Sequence, residues 1–304
     1  MKFGVNALPQ TGAWGDYREL CLRLEKLGYS SFWTYDHFVS RTPNGLGPAL
    51  ECLTTLAALA PLTSRITLGS LVLASEFRHP SLVAKAASTL ALISNGRFAL
   101  GMSAGSNEME HRMFGIPYPD AGERVERFAN AVSVIRSLLH GETVSRGDGP
   151  FPLREARLLP EVAPPKIVIG ARKPRMLRIV SEFADVHVSA ASPAELRALN
   201  RDLDALCDRV GRAPESIERA VIAYEACGPT EEVASAKRAA LETLFGRPFA
   251  DIANRVLVGS TDQLVNRLGE YREAGADHVF ITAVPPYDYE FLECFISDVA
   301  PAVA

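Results

Sequence analysis

Asp36-His37, at the end of an aromatic-rich β-type run over residues 31–36, is the first place along this chain where proton chemistry could occur. A histidine at a strand end can donate, accept or relay a proton near neutral pH, or it can pack and hydrogen-bond without reacting; position alone leaves both readings open. A second candidate is Gly101-Met102-Ser103-Ala104-Gly105-Ser106-Asn107-Glu108, whose small residues would let backbone N–H and C=O groups approach a flat heterocycle, or would simply turn the chain into its next segment. A third is Gly170-Ala171-Arg172-Lys173-Pro174, where a strand end, a helix opening at Pro174 and two cations could converge on a phosphate; the alternative is a solvated basic turn. Arg78-His79-Pro80 reads more simply as a helix start. The six histidines have no shared close spacing, so no metal site is expected.

These residues need a scaffold, and the hydrophobic periodicity supplies one. Short β-type runs over 3–7, 31–36, 66–73, 97–103, 166–169, 185–189, 220–226 and 277–282 alternate with helical patterns over 16–27, 48–61, 81–93, 122–140, 174–182, 193–210, 231–245, 261–274 and 289–299. In the pattern over 122–140, Val125, Phe128, Val132, Ile135 and Leu139 form one apolar stripe. Gly28 is placed to end the first helix, with Asp16 at its start. Eight strands alternating with helices predict a single-domain (β/α)8 TIM barrel over residues 1–304, with insertions near 141–165 and 229–260. The proline-rich stretch 141–165 is expected to lie near the barrel mouth and exclude water. In such a barrel the chemistry sits at the C-terminal strand ends, which gather Ala7, His37, Ser70, Leu71, Ser103 to Ser106, Gly170 to Arg172, Ser189, Tyr224, Glu225 and Thr282. Loops 9–16, 38–48, 141–165 and 283–289 would wall the pocket.

The bulk properties exclude several classes. The 304 residues are 47% hydrophobic and 22% charged with a net charge of −4, which suits a globular chain and not a nucleic-acid binder. There is no apolar run of about 18 residues to span a membrane. The five cysteines form no CxxC and read as free thiols of a cytoplasmic protein. GxGxxG, Walker A and HExxH motifs are missing from the sequence.

Leu27-Gly28-Tyr29-Ser30-Ser31-Phe32-Trp33-Thr34-Tyr35-Asp36-His37-Phe38 is followed, in order, by Ile66-Thr67-Leu68-Gly69-Ser70, Arg78-His79-Pro80, Ser94-Asn95-Gly96-Arg97-Phe98-Ala99-Leu100-Gly101, Pro164-Pro165-Lys166-Ile167-Val168-Ile169-Gly170 and Leu257-Val258-Gly259-Ser260. In these blocks, over most of its length, the sequence resembles the luciferase-like hydride-transfer family, which includes bacterial luciferase and enzymes using the deazaflavin coenzyme F420. The resemblance implies an insertion-bearing barrel paired as a homodimer, and a non-proline cis peptide between Ser70 and Leu71 under the ring. It implies that His37 sits near the reactive ring carbon, with Asp36 orienting it or shaping the pocket. Ser103, Ala104, Gly105 and Ser106 would meet the pyrimidine edge, and Gly170, Ala171 and Arg172 the phosphate. The sequence departs from the family's sugar-phosphate dehydrogenases: Val39, Ser40 and Arg41 stand where a Trp follows the histidine, and Ser106 and Asn107 where a Glu occurs. That speaks against the same substrate and the same acid.

The leading expectation is therefore F420-dependent hydride transfer to or from a small organic substrate, with His37 relaying a proton. A second is an FMN-dependent monooxygenase using reduced flavin and O2, which would need a flavin reductase as partner. A third is a flavin-binding barrel without catalysis. A fourth is an unrelated barrel using Glu225 and Asp36 as a charged pair.

Overall fold

The computed structural model describes residues 1–8, 13–42, 45–228 and 230–303. Residues 9–12 and 43–44, expected among the pocket walls, lie outside the described residues, as do residue 229 and the side chains of residues 41 and 42.

The chain runs β1 (Lys2–Ala7), α1 (Trp14–Leu27), β2 (Ser31–Thr34), a small hairpin of β3 (Ser40–Thr42) and β4 (Gly45–Gly47), α2 (Cys52–Leu59), β5 (Thr67–Ser70), β6 (Leu73–Ala74), α3 (Pro80–Ile93) and β7 (Phe98–Ser103). It continues through α4 (Glu108–Met113), α5 (Ala121–Leu139), a second hairpin of β8 (Val144–Arg146) and β9 (Leu153–Ala156), β10 (Lys166–Gly170), α6 (Pro174–Phe183), β11 (Val186–Ser189), α7 (Pro193–Val210) and β12 (Glu218–Glu225). It ends with α8 (Glu231–Phe245), α9 (Phe249–Ile252), β13 (Val256–Leu257), α10 (Thr261–Glu273), β14 (His278–Ala283), α11 (Tyr289–Cys294) and α12 (Ala300–Val303). Strands β1, β2, β5, β7, β10, β11, β12 and β14 pair in parallel, and the β10–β7 ladder closes them into an eight-stranded barrel.

Alternation along the strands separates two apolar layers. Phe3, Val5, Phe32, Leu68, Leu100, Val221 and Ile281 pack outward with the helices. Trp33, Ala99, Val168, Val186, Val188, Ala220 and Phe280 form a separate cluster inside the barrel. The indole of Trp33 fits there only because Gly69 has no side chain: a Cβ at Gly69 would sit 2.1 Å from the Trp33 ring.

The N-terminal end of the barrel is closed by a polar chain. Trp33 Nε1 donates to Ser31 Oγ (2.7 Å), His278 Nε2 lies 3.1 Å from that hydroxyl, and His278 Nδ1 meets Glu218 Oε1 at 3.2 Å. Glu218 also accepts from Lys166 (3.0 Å) and Lys2 (3.5 Å). The bond from His278, followed by those from the lysine, holds the Glu218 carboxyl well below its usual range despite partial burial.

Three expectations need correction. Helix α1 begins at Trp14, and its N-cap is Ala13 with no side-chain cap bond, so Asp16 lies in the first turn and does not cap it. The non-proline cis peptide joins Leu71 and Val72, one bond later than expected. The ladder shows why the irregularity sits there: Gly69 pairs with Ala99 but Leu73 with Met102, leaving one extra residue on the β5–β6 side. Finally, the segment 141–165 is not an irregular cover. It contains the β8–β9 hairpin and docks on the outer helices, with Arg146 donating to Ser133 of α5, Lys85 of α3 donating to the Leu159 carbonyl, and Phe151 edge-on to His79. Among the five cysteines, four are buried and Cys294 is exposed, all free.

Candidate functional site

Strand β2 ends at Thr34, and the next residues carry Asp36 and His37 over the C-terminal rim of the barrel. His37 Nδ1 lies 2.7 Å from Oε2 of Glu110, a residue of α4 with no solvent exposure. Oε2 also accepts from Asn107 Nδ2 (2.6 Å), and Oε1 from the amides of Phe38 (2.8 Å) and Val39 (3.1 Å). Burial alone would raise the Glu110 carboxyl, but the bond and charge of His37 and the two amides outweigh it and hold the group below its usual value. Glu110 is therefore an acceptor only, so the Nδ1 facing it carries a proton. The half-exposed imidazole is left with Nε2 as its variable nitrogen, and Tyr35 packs edge-on against the ring at 4.7 Å.

His37 borders a cavity of about 510 Å³, a size common for small-molecule sites, lined by Asn6, Leu8, Tyr35, Val39, Ser40, Leu71, Ser106, Asn107, Met109, Ile222, Tyr224, Leu244 and Phe245. Two elements outside the barrel ring form its rim: the β3–β4 hairpin gives Ser40, and the end of α8 gives Leu244 and Phe245, with Phe245 edge-on to Tyr224 at 4.8 Å. A larger hollow of about 860 Å³ lies at the opposite end, beside Lys2, Lys166 and Glu218. Those charges satisfy one another, and barrel enzymes work at the C-terminal strand ends, so the smaller cavity is the candidate site.

The structure brings His37, Leu71 and Ser106 of the expected set to this cavity and leaves others aside. Asp36 does not orient His37. Arg78 takes both its oxygens (2.7 and 2.8 Å), the Ala74 amide adds a third bond, and Arg78 also reaches Glu51 at 2.6 Å. Ser70 is fully buried, its hydroxyl donating to the Gly101 carbonyl and accepting from the Gly101 amide. Ser103 stands at the end of β7, its Oγ accepting from Gly105, and Ala104 is buried beside it. Gly105 adopts a left-handed φ of 72°, a conformation that suits glycine. Ala171 is buried next to Gly170. Arg172 is committed to Glu195 (2.7 Å) and to the Ala190 carbonyl, and Glu195 also binds Arg255 at 2.8 Å. Bonds from Arg255, the Ser192 amide and Arg172 override burial and hold Glu195 at about 2. Helix α6 begins at Pro174 with Lys173 as N-cap and no side-chain cap bond, which leaves its first-turn amides available to an anion. Glu225 pairs with Lys237 and not with Asp36, so the two do not form a charged pair.

Glu110, the partner of His37, is the residue of this cluster that the sequence reading missed. Its signal was present: an acid three residues after Asn107, in the stretch Asn107-Glu108-Met109-Glu110-His111, falls on the same helical face. The apolar end of α8 was equally unmarked.

A flavin-type ring needs an apolar bed and a few polar atoms, and the cavity has both. Leu71 and Ile222 supply hydrocarbon, while Asn6 Oδ1 and Ser40 Oγ are buried without a partner. The donor set around His37 therefore fits such a group.

Comparison with known proteins points the same way. Residues 1–278 match the model of a family described as luciferase-like monooxygenase. The chain is 28% identical, over 99% of its length and 98% of the relative's, to a protein of Kribbella flavida named F420-dependent glucose-6-phosphate dehydrogenase. It is 26% identical, over 92% of each chain, to the 5,10-methylenetetrahydromethanopterin reductase of Archaeoglobus fulgidus. Among solved structures, an F420-dependent secondary alcohol dehydrogenase superposes with a TM-score of 0.88 at 20% identity, covering 100% of this chain and 99% of that one. A monooxygenase from Streptomyces bottropensis gives 0.83 at 21%, covering 100% of both. At those identities the structural likeness shows the fold alone.

Proposed function

Because the chain belongs to the luciferase-like monooxygenase family, we propose that it is an F420-dependent oxidoreductase that moves a hydride between the deazaflavin and a small organic substrate. The observation that carries this reading is the Glu110-held His37 on the wall of a cavity lined by hydrocarbon and uncharged polar side chains. The full-length relatives named as F420-dependent support the choice of coenzyme.

Leu71 and Ile222 would bed the ring, and Ser106 and Asn6 would meet its polar edge. Gly170, Ala171, Arg172 and the amides at the start of α6 would hold the phosphate. F420 supplies a two-electron hydride carrier that does not use oxygen. His37 does the proton work: with Nδ1 held protonated against Glu110, Nε2 accepts a proton from a substrate hydroxyl, or returns one to a carbonyl oxygen. Glu110 acts through His37, as a positioning residue that also stabilises the imidazolium as it forms. Leu244, Phe245 and Val39 exclude water from the reacting atoms. The same reading carries a cytoplasmic homodimer.

The test is a side-by-side titration of the purified protein with F420 and FMN, read by the change in coenzyme fluorescence on binding. Preferential binding of F420 supports the proposal. Preference for FMN moves the protein to the oxygenase branch, with a flavin reductase as partner, and binding of neither removes the redox reading.

A further inference from the structure

The walls beside His37 indicate what kind of molecule the site admits. Leu8, Val39, Met109, Leu244 and Phe245 present hydrocarbon, and among the described residues lining the cavity His37 is the only side chain able to carry charge near neutral pH. The adjacent carboxylate, Glu110, lies behind His37 and is saturated by four donors. The buried acceptors still open, Asn6 Oδ1 and Ser40 Oγ, are uncharged. An anion entering such walls gives up its hydration, and among the described residues lining the cavity only His37, already paired with the Glu110 carboxylate, could replace it. An alcohol hydroxyl can donate to His37 Nε2, and a carbonyl oxygen can accept from the Ser40 hydroxyl.

We infer that the substrate is an uncharged alcohol carrying a short hydrocarbon body, or the corresponding ketone or aldehyde, and not a phosphorylated sugar of the kind in the names of several relatives. This rests on the F420-dependent reading above and deepens it. The space is limited: about 510 Å³ must hold ring and substrate together, which restricts the substrate to a few carbons. In the oxidative direction the carbinol C–H bond breaks and its hydride, with both electrons, passes to oxidised F420. The O–H proton passes to His37 Nε2, and the products are the carbonyl compound, reduced coenzyme and an imidazolium that returns its proton to solvent. Reduction of the carbonyl runs the same balance backwards.

The test uses dead-end complexes, so its readout is binding and not turnover. The protein is first loaded with oxidised F420, and saturation is verified by the coenzyme's fluorescence. It is then titrated calorimetrically with 2-pentanone, with 4-oxopentanoate (the same carbon skeleton ending in a carboxylate) and with glucose 6-phosphate. The inference expects 2-pentanone to bind at least about tenfold more tightly than either anion. It also expects Leu244→Arg, which puts a cation on the half-exposed rim, to reverse the preference between ketone and keto acid. Equal or tighter binding of an anion by the unaltered protein overturns the inference, and so does failure of all three to bind the loaded protein, while the F420 reading stands in both cases. Failure of F420 itself to bind overturns the coenzyme reading separately. The three ligands are then compared on the FMN-loaded or free protein, where the same order supports the cavity's preference and the reverse order overturns it.

Discussion

Oε2 of Glu110 stands 2.7 Å from Nδ1 of His37, and the same carboxylate ties down the amides of the two residues that follow the histidine. One buried side chain thus fixes the ring's tautomer and the path of the backbone that carries it. His37→Ala should lower turnover by about 10²–10⁴-fold, the usual worth of a positioned acid–base group. Glu110→Gln should lower kcat by about 10²-fold, because an amide can present N–H where the ring needs an acceptor. In both variants the affinity for coenzyme, measured by titration, should stay within about twofold of the parent if the pair serves proton transfer and not ring binding.

Arg172 offers a test of the phosphate end. Its guanidinium already has Glu195, so it is placed but not idle. Arg172→Ala should weaken F420 binding by about tenfold, roughly the worth of one charge-assisted bond. The deazaflavin nucleoside without its phosphate should be unaffected. Equal loss for both ligands would place Arg172 outside the phosphate site.

The barrel interior predicts a packing effect. A Cβ at Gly69 would meet the Trp33 ring at 2.1 Å, with the ring confined by Phe280 at 4.6 Å. Gly69→Ala should cost at least ~1–3 kcal/mol in urea denaturation, the usual range for overpacking. Gly69→Ala combined with Trp33→Leu should cost less than the sum of the two single changes, since the smaller side chain makes room.

Stability should also fall with acid before the carboxylates respond. His187 is fully buried, its Nε2 lies 2.9 Å from the Ala171 carbonyl, and burial, aided by Arg219 and opposed by that bond, lowers it to about 4. Its folded value lies below the unfolded one, so the unfolded chain binds the proton first. The contribution is whole above about 6.5 and shrinks as pH falls toward the folded value. Between pH 7 and 5 this one group should remove about 2 kcal/mol, and His278, also lowered by burial, acts in the same sense. Urea melts at the two pH values should therefore show a smaller drop for His187→Gln than for the parent. Further losses as pH falls below about 4.5 come from Glu110, Glu195 and Glu218, whose folded values are depressed.

The architecture was legible because it repeats. The helix over 193–210 is bounded in the sequence by Ser192 with Glu195 and by Gly211, and the structure shows a capping box at one end and a left-handed φ of 70° at the other. The strand over 66–73 was less so. Its apolar run is nearly continuous, but the ladder breaks after Ser70 and resumes at Leu73, and an extra residue leaves no trace in hydropathy. His37 could be found because strand-end position is a local property. Its partner could not be assigned that way, since Asp36 is adjacent in sequence while Glu110 arrives 73 residues later on a separate helix. Asp36 was drawn instead to Arg78, a long-range choice that spacing does not encode. The segment 141–165 looked like a cover because prolines break periodicity, yet prolines equally allow a hairpin that clasps the outside of the barrel.

Helix α8 and the β3–β4 hairpin meet the cavity while standing outside the eight-stranded ring. The β10–β7 ladder that closes the ring and the Trp33–Ser31–His278–Glu218 chain at its far end use none of their residues. Exchange of segment 231–245 between related chains would therefore trade one set of rim side chains for another without rewriting the frame. Selection can explore new chemistry in the mouth while the barrel keeps its shape, and laboratory libraries confined to Val39, Leu244 and Phe245 inherit the same freedom.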